Sequence, residues 1–201
     1  MSNFTHGLST AQQHQFGKSL SRFGIKYEDI KGRTLSAPDG RPICLDSDGG
    51  ESMMQPKIMT TNDLDEIKSW VGNSDEVSRH LMQTCSSPYE FSLGSPTDAH
   101  GHPDKDYLQK AAFDYVFHGG ATGGKDKIDA GLKREIEKTF GSFKAAVFAA
   151  ENIVVKPGSP LVVTGSTPVA LNYAEMDIYT GGQILIYAPG SMTIQVLKKK
   201  T

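Results

Sequence analysis

The chain has 201 residues, 37% of them apolar, and a net charge of −2. That length suits one domain or two small ones with a sizeable core. The near-neutral balance leaves no electrostatic footprint for nucleic acid or an anionic membrane, and no run of about 18 apolar residues is present to form a transmembrane helix.

Residues Met1 to Gly7 have neither a basic nor an apolar leader region, so no secretory signal is expected. Cys44 and Cys85 stand in no metal-type spacing, which fits two reduced thiols in a cytoplasmic protein. Ser9 to Phe23 predicts an amphipathic helix. Ser9 or Thr10 would cap it, Phe16, Leu20 and Phe23 share a face, and Gly24 stops it. From Tyr27 to Leu45 the chain turns extended, and Asp39-Gly40 between Leu35 and Ile43 reads as a hairpin turn. Asp46-Ser-Asp-Gly-Gly-Glu51 is an acidic loop, but Gly49 arrives too early for a calcium loop and its twelfth position is Lys57.

Helices are expected over Asn62 to Val71, with Leu64, Ile67, Trp70 and Val71 inward, and over Ser74 to Cys85. His80 and Cys85 fall on different faces of the second, which disfavours a nucleophile pair. Ser86 to Pro103 is a polar, Pro- and Gly-rich loop. It carries Asp98, His100 and His102, a conceivable divalent-metal group whose spacing matches no well-specified site. Further helices follow over Asp104 to Phe117, with Leu108, Ala111, Ala112 and Tyr115 inward, and over Lys127 to Phe140. Between them, Gly119 to Lys125 matches seven positions of a phosphate-binding loop. Asp126 replaces the hydroxyl residue that would ligate magnesium, so a plain loop is expected and no cofactor is assigned.

From Ser142 onward, β-favouring clusters begin about eight residues apart: Ile153–Val155, Leu161–Val163, Val169–Tyr173, Met176–Tyr179, Ile184–Tyr187 and Met192–Val196. Glu175 and Asp177 are the only charged residues from Gly158 to Val196, so the outer faces of these strands are expected to be covered. Lys198-Lys-Lys200 then guards the last edge. Helices first and strands afterwards predict an α+β fold. An α-rich region over 1–141 with a short β-hairpin would precede an antiparallel β sandwich or roll over 142–201, with a β-solenoid as second choice. The leading functional expectation is a non-enzymatic, self-assembling structural protein, a homo-oligomer whose contacts involve Tyr179, Gln183, Leu185 and Tyr187. Ile184 and Ile186 are assigned to the core by their period of two. One alternative is a carbohydrate- or small-ligand-binding β module using Asn172, Tyr173, Glu175 and Asp177. The other is a metal- or phosphate-dependent enzyme using His100 and His102 or the Gly119–Lys125 loop.

Overall fold

The computed structural model describes residues 8–72, 97, 104–118 and 128–201. The chain divides into two compact units, one of residues 1–59 with 146–201 and one of residues 60–145. The first is built on parallel strands. β1 (Thr34–Ser36) is followed by β2 (Ile43–Asp46) and β3 (Lys57–Thr61). After the helices come β4 (Phe143–Val155), β5 (Leu161–Thr164), β6 (Val169–Tyr179), β7 (Ile184–Ile186) and β8 (Gly190–Lys200).

One sheet runs in the order β1-β4-β6-β8, with β3 also paired to β4, and the other runs β2-β5-β7. The pairs β1–β4, β4–β6, β6–β8, β2–β5 and β5–β7 are all parallel. Each turn of the chain therefore lays one strand on each sheet, and like positions stack. Leu35 lies beside Ile153, Ile153 beside Met176, and Met176 beside Leu197. In the second sheet Ile43, Leu161 and Ile184 form the equivalent column.

This overturns the antiparallel sandwich or roll. The arrangement is a mixed α/β one with parallel sheets. It also overturns the hairpin at Asp39-Gly40. β1 and β2 do not pair with each other; they pair with β4 and β5, more than a hundred residues along the chain. Clusters eight residues apart satisfy a meander and a coil equally well, because both need a turn after each short strand.

The inner core contains Leu35, Ile43, Leu45, Phe148, Ile153, Leu161, Leu171, Tyr173 and Met176. In β6 the inward residues are Val169, Leu171 and Tyr173, then Met176, while Ala174 packs outward. The side-chain alternation slips by one residue between Tyr173 and Met176, so the strand turns a corner there. The outer face is covered by α1 (Thr10–Ser21) and α2 (Tyr27–Ile30), whose Phe16, Leu20, Tyr27 and Ile30 pack on Ala149 and Ala174. β6 is consequently buried on both faces from Val169 to Asp177, which explains its run without outward charges before Glu175. Ser9 caps α1 through a capping box with Gln12. The Glu151 carboxylate accepts hydrogen bonds from the Tyr27 hydroxyl and the Gly32 amide. Burial, followed by this carboxylate, pushes the Tyr27 phenol up to about 12.

Successive coils approach closely at two glycines. At Gly190 a Cβ would lie 2.0 Å from the Val169 carbonyl oxygen. At Gly165, where φ is +106°, it would lie 2.1 Å from Ser47 Oγ. Asp48 closes the same corner. Its carboxylate accepts from the amides of Ser166 (2.7 Å) and Thr167 (3.0 Å) and from both hydroxyls.

Those bonds, the Ser166 amide first, hold the Asp48 carboxyl well below the usual carboxylate range. A depressed folded value gives stability that is present above the unfolded pKa, about 4, and is lost as pH falls toward the folded value. Asp48→Ala should therefore melt lower than wild type at pH 7. The gap should narrow as pH falls below about 4, measured by thermal melts across pH. A gap that stays constant with pH would contradict the assignment.

The second unit holds α3 (Leu64–Val71), α4 (Lys105–His118) and α5 (Ala130–Phe140). α3 buries Leu64, Ile67, Trp70 and Val71, the expected face, under an Asp63 cap. α4 buries Leu108, Ala111 and Val116, whereas Tyr115 is only half-buried. α5 starts at an Asp129 cap and buries Ile136. Lys133 binds Asp65 at 2.7 Å, Asp63 at 3.2 Å and Glu137 at 3.5 Å, and Glu137 also accepts from the Leu64 amide. The hydrogen bond to Asp65 leads in raising the Lys133 pKa above its ordinary value.

Candidate functional site at the open end of the coils

Both sheets end at the same place, with β8 on the outside of one and β7 on the outside of the other. In a parallel stack each coil shields the one before it, so the last coil exposes the side chains that would face its successor. Among the described residues, the exposed large apolar side chains are Met53, Ile58, Phe113, Leu185, Ile186, Tyr187, Met192 and Leu197. The last five belong to β7, β8 and the residue that follows β7. Tyr187 is 70% exposed and Leu197 62% exposed, although Leu197 stands in the column whose other members are buried. The opposite end is different: Ile43 and Leu45 of β2 are fully buried, and Met54 packs against the core there.

Of the expected assembly residues, Gln183, Leu185 and Tyr187 are exposed along β7, and Tyr179 is half-buried at the end of β6. Ile184 is half-buried against the core, but Ile186 is 42% exposed. Its assignment to the core is thus corrected, since β7 is an edge strand among the described residues.

The expected ligand residues sit elsewhere. Asn172 and Tyr173 are buried, on opposite faces of β6, and share no open surface. Glu175 is 5% exposed and Asp177 8% exposed, so neither forms a solvated edge. Lys198 reaches Glu175 at 2.7 Å and Lys200 reaches Asp177 at 3.5 Å. Two of the three terminal lysines are thereby committed to the neighbouring strand rather than to guarding the edge. This pairing was hidden in the sequence because it depends on a parallel register that sets Asp177 beside Lys198.

The Tyr173 hydroxyl is buried and has no hydrogen-bond partner among the described residues, and burial holds its pKa far above the usual tyrosine value. A buried unpaired hydroxyl costs free energy that its removal returns. Tyr173→Phe should therefore leave stability unchanged or raise it by about 1 kcal/mol in urea titration. A loss of that size would reveal a partner for the hydroxyl.

Asp98, His100 and His102 lie outside the described residues, as do Cys85 and the Gly119–Lys125 loop. Among the described residues no group of three His, Cys, Asp or Glu side chains is placed to hold a metal ion. No helix among them is long and apolar enough to cross a membrane. Compared with protein-family models, curated proteins and solved structures, the chain gives no match.

Proposed function

We propose that this chain is a non-enzymatic structural protein that assembles with copies of itself through the open end of its coils. The observation that carries the reading is the coincidence of two parallel sheet edges, beyond which no further strand lies among the described residues, with Leu185, Ile186, Tyr187, Met192 and Leu197 exposed on them. Clustered exposed apolar side chains mark interaction sites, and an open strand edge offers unpaired backbone donors and acceptors to a second chain. A cytoplasmic setting belongs to the same reading, supported by the free thiol of Cys44.

Sedimentation velocity over a range of protein concentrations tests it. Wild type should move from monomer toward a larger species as concentration rises. Leu185→Lys with Leu197→Lys should stay monomeric and keep the wild-type circular dichroism spectrum. A wild type that remains monomeric throughout would overturn the reading.

A further inference from the structure

We infer that the groove between α1 and the segment leading into α2 binds a small polar phosphate ester of the sugar-phosphate kind. The site lies within the first unit and does not depend on the self-assembly reading.

Gln13, Gly17 and Ser21 recur at four-residue steps along α1, with His14 and Lys18 beside them, so one face of the helix forms a wall of the groove. Ile25, Lys26 and the start of α2 form the other wall. The groove holds about 710 Å³, within the roughly 300–1,000 Å³ of small-molecule sites.

Three observations select the ligand. The first is charge. Ser9 to Arg33 holds five Lys and Arg residues and two acidic ones, in a chain whose net charge is −2. His14, Lys18 and Lys26 line the groove, and among the described residues their side chains have no hydrogen-bond or ion-pair partner. Glu28 is the one acidic liner among those residues, and Asp29 accepts from the Lys26 amide. A phosphate monoester carries a charge of about −1.5 to −2 at neutral pH, which matches two lysines. A single carboxylate would leave one of them unmatched. Lysine serves phosphate well as a point charge.

The second is the polarity of the remaining walls. The Thr10 hydroxyl has no partner among the described residues. Gln13 donates through its amide nitrogen to the Leu8 carbonyl at 2.9 Å, which leaves its side-chain oxygen free to accept. Such groups suit the hydroxyls of a sugar better than a hydrocarbon chain, because an apolar body would leave them without hydrogen bonds.

The third is Gly17, in the interior of α1. It is not among the glycines of positive φ. A Cβ there would meet only the Tyr27 Cβ, at an ordinary 3.8 Å. Neither backbone conformation nor packing requires glycine, although only proline is a poorer helix residue. Its place on the groove wall supplies the reason: the missing side chain keeps open the space beside Lys18.

Isothermal titration calorimetry on the full chain tests the site. Glucose phosphate is the probe, with free glucose and inorganic phosphate as controls. Glucose phosphate should bind, inorganic phosphate should bind more weakly, and glucose should not bind. Lys18→Ser with Lys26→Ser should weaken glucose phosphate by about tenfold or more and keep the wild-type circular dichroism spectrum. Gly17→Ala should melt about 2–4 °C higher and bind the probe more weakly, so stability and binding move in opposite directions. No binding of glucose phosphate at millimolar concentration would overturn the proposal, as would binding that the double lysine variant leaves unchanged. Inorganic phosphate binding as tightly as glucose phosphate would overturn the sugar-phosphate assignment. A Gly17→Ala chain that melts lower would show that the fold itself needs the glycine, against the proposal.

Discussion

Phe148→Ala should destabilise the protein by about 3–5 kcal/mol. Phe148 is fully buried in β4, in the middle of the larger sheet, with Leu171 beside it in register. Removing the ring loses its transfer free energy and leaves a cavity, and the flanking coils limit collapse into that cavity. Stabilities of ordinary domains are about 5–15 kcal/mol, so the variant should lose a large share of its folded margin. Urea titration should show a lower midpoint with an unchanged slope. Leu185→Ala, at the open end, should shift the midpoint of monomeric protein by no more than about 0.5 kcal/mol. A Phe148→Ala cost below about 1 kcal/mol would mean that the coil interior is not packed as described.

The second large effect is expected at Lys198. Its ammonium lies 2.7 Å from Glu175, a carboxylate whose side chain is only 7% exposed. Lys198→Ala removes that counter-charge and leaves the carboxylate in a buried setting. Breaking a fully buried pair costs about 3–5 kcal/mol. Because Lys198 is itself 35% exposed, a loss of about 2 kcal/mol is expected here. Replacing both partners, as Glu175→Gln with Lys198→Met, should recover most of the loss, since no buried charge then remains. The double-mutant cycle measures the coupling directly. Additive single effects would show that the two side chains do not interact.

Much of the local structure was legible in the sequence. Ser9, Phe16 and Leu20 specify α1, and Leu64, Ile67, Trp70 and Val71 specify α3, because capping residues and a 3.6-residue period act within one element. The strands near Leu161, Ile184 and Met192 were legible too, but Val169–Tyr173 and Met176–Tyr179, expected as two strands, form the single strand β6. Their direction of pairing was not. Period-two alternation records which face is buried and says nothing about which strand lies alongside. The long uncharged run from Val169 to Ala174 did carry a signal, since burial on both faces is typical of parallel strands under helices. A second signal was the recurrence of inward residues 23 positions apart from Leu161 to Ile184 and 21 apart from Leu171 to Met192. The partnership of Ile43 with Leu161 was beyond reach, because the helical segment separates them along the chain.

The candidate surface was legible in part. Leu185 and Tyr187 stand out as apolar residues facing away from the core in a period-two strand. Met192, Leu197 and Ile186 did not, because they occupy inward positions whose stacking neighbours Leu171, Met176 and Val163 are buried. A sequence pattern identifies a face, whereas exposure depends on which strands lie alongside.

Amide hydrogen exchange read by mass spectrometry at two protein concentrations tests the self-assembly most directly. At high concentration, peptides covering Gln183–Tyr187 and Gly190–Lys200 should exchange more slowly than at low concentration, because a second copy supplies partners for their edge amides. Peptides covering β2, at the closed end, should exchange equally at both concentrations. Identical exchange across β7 and β8 at every concentration, or protection appearing first at β2, would contradict assembly through the open end of the coils.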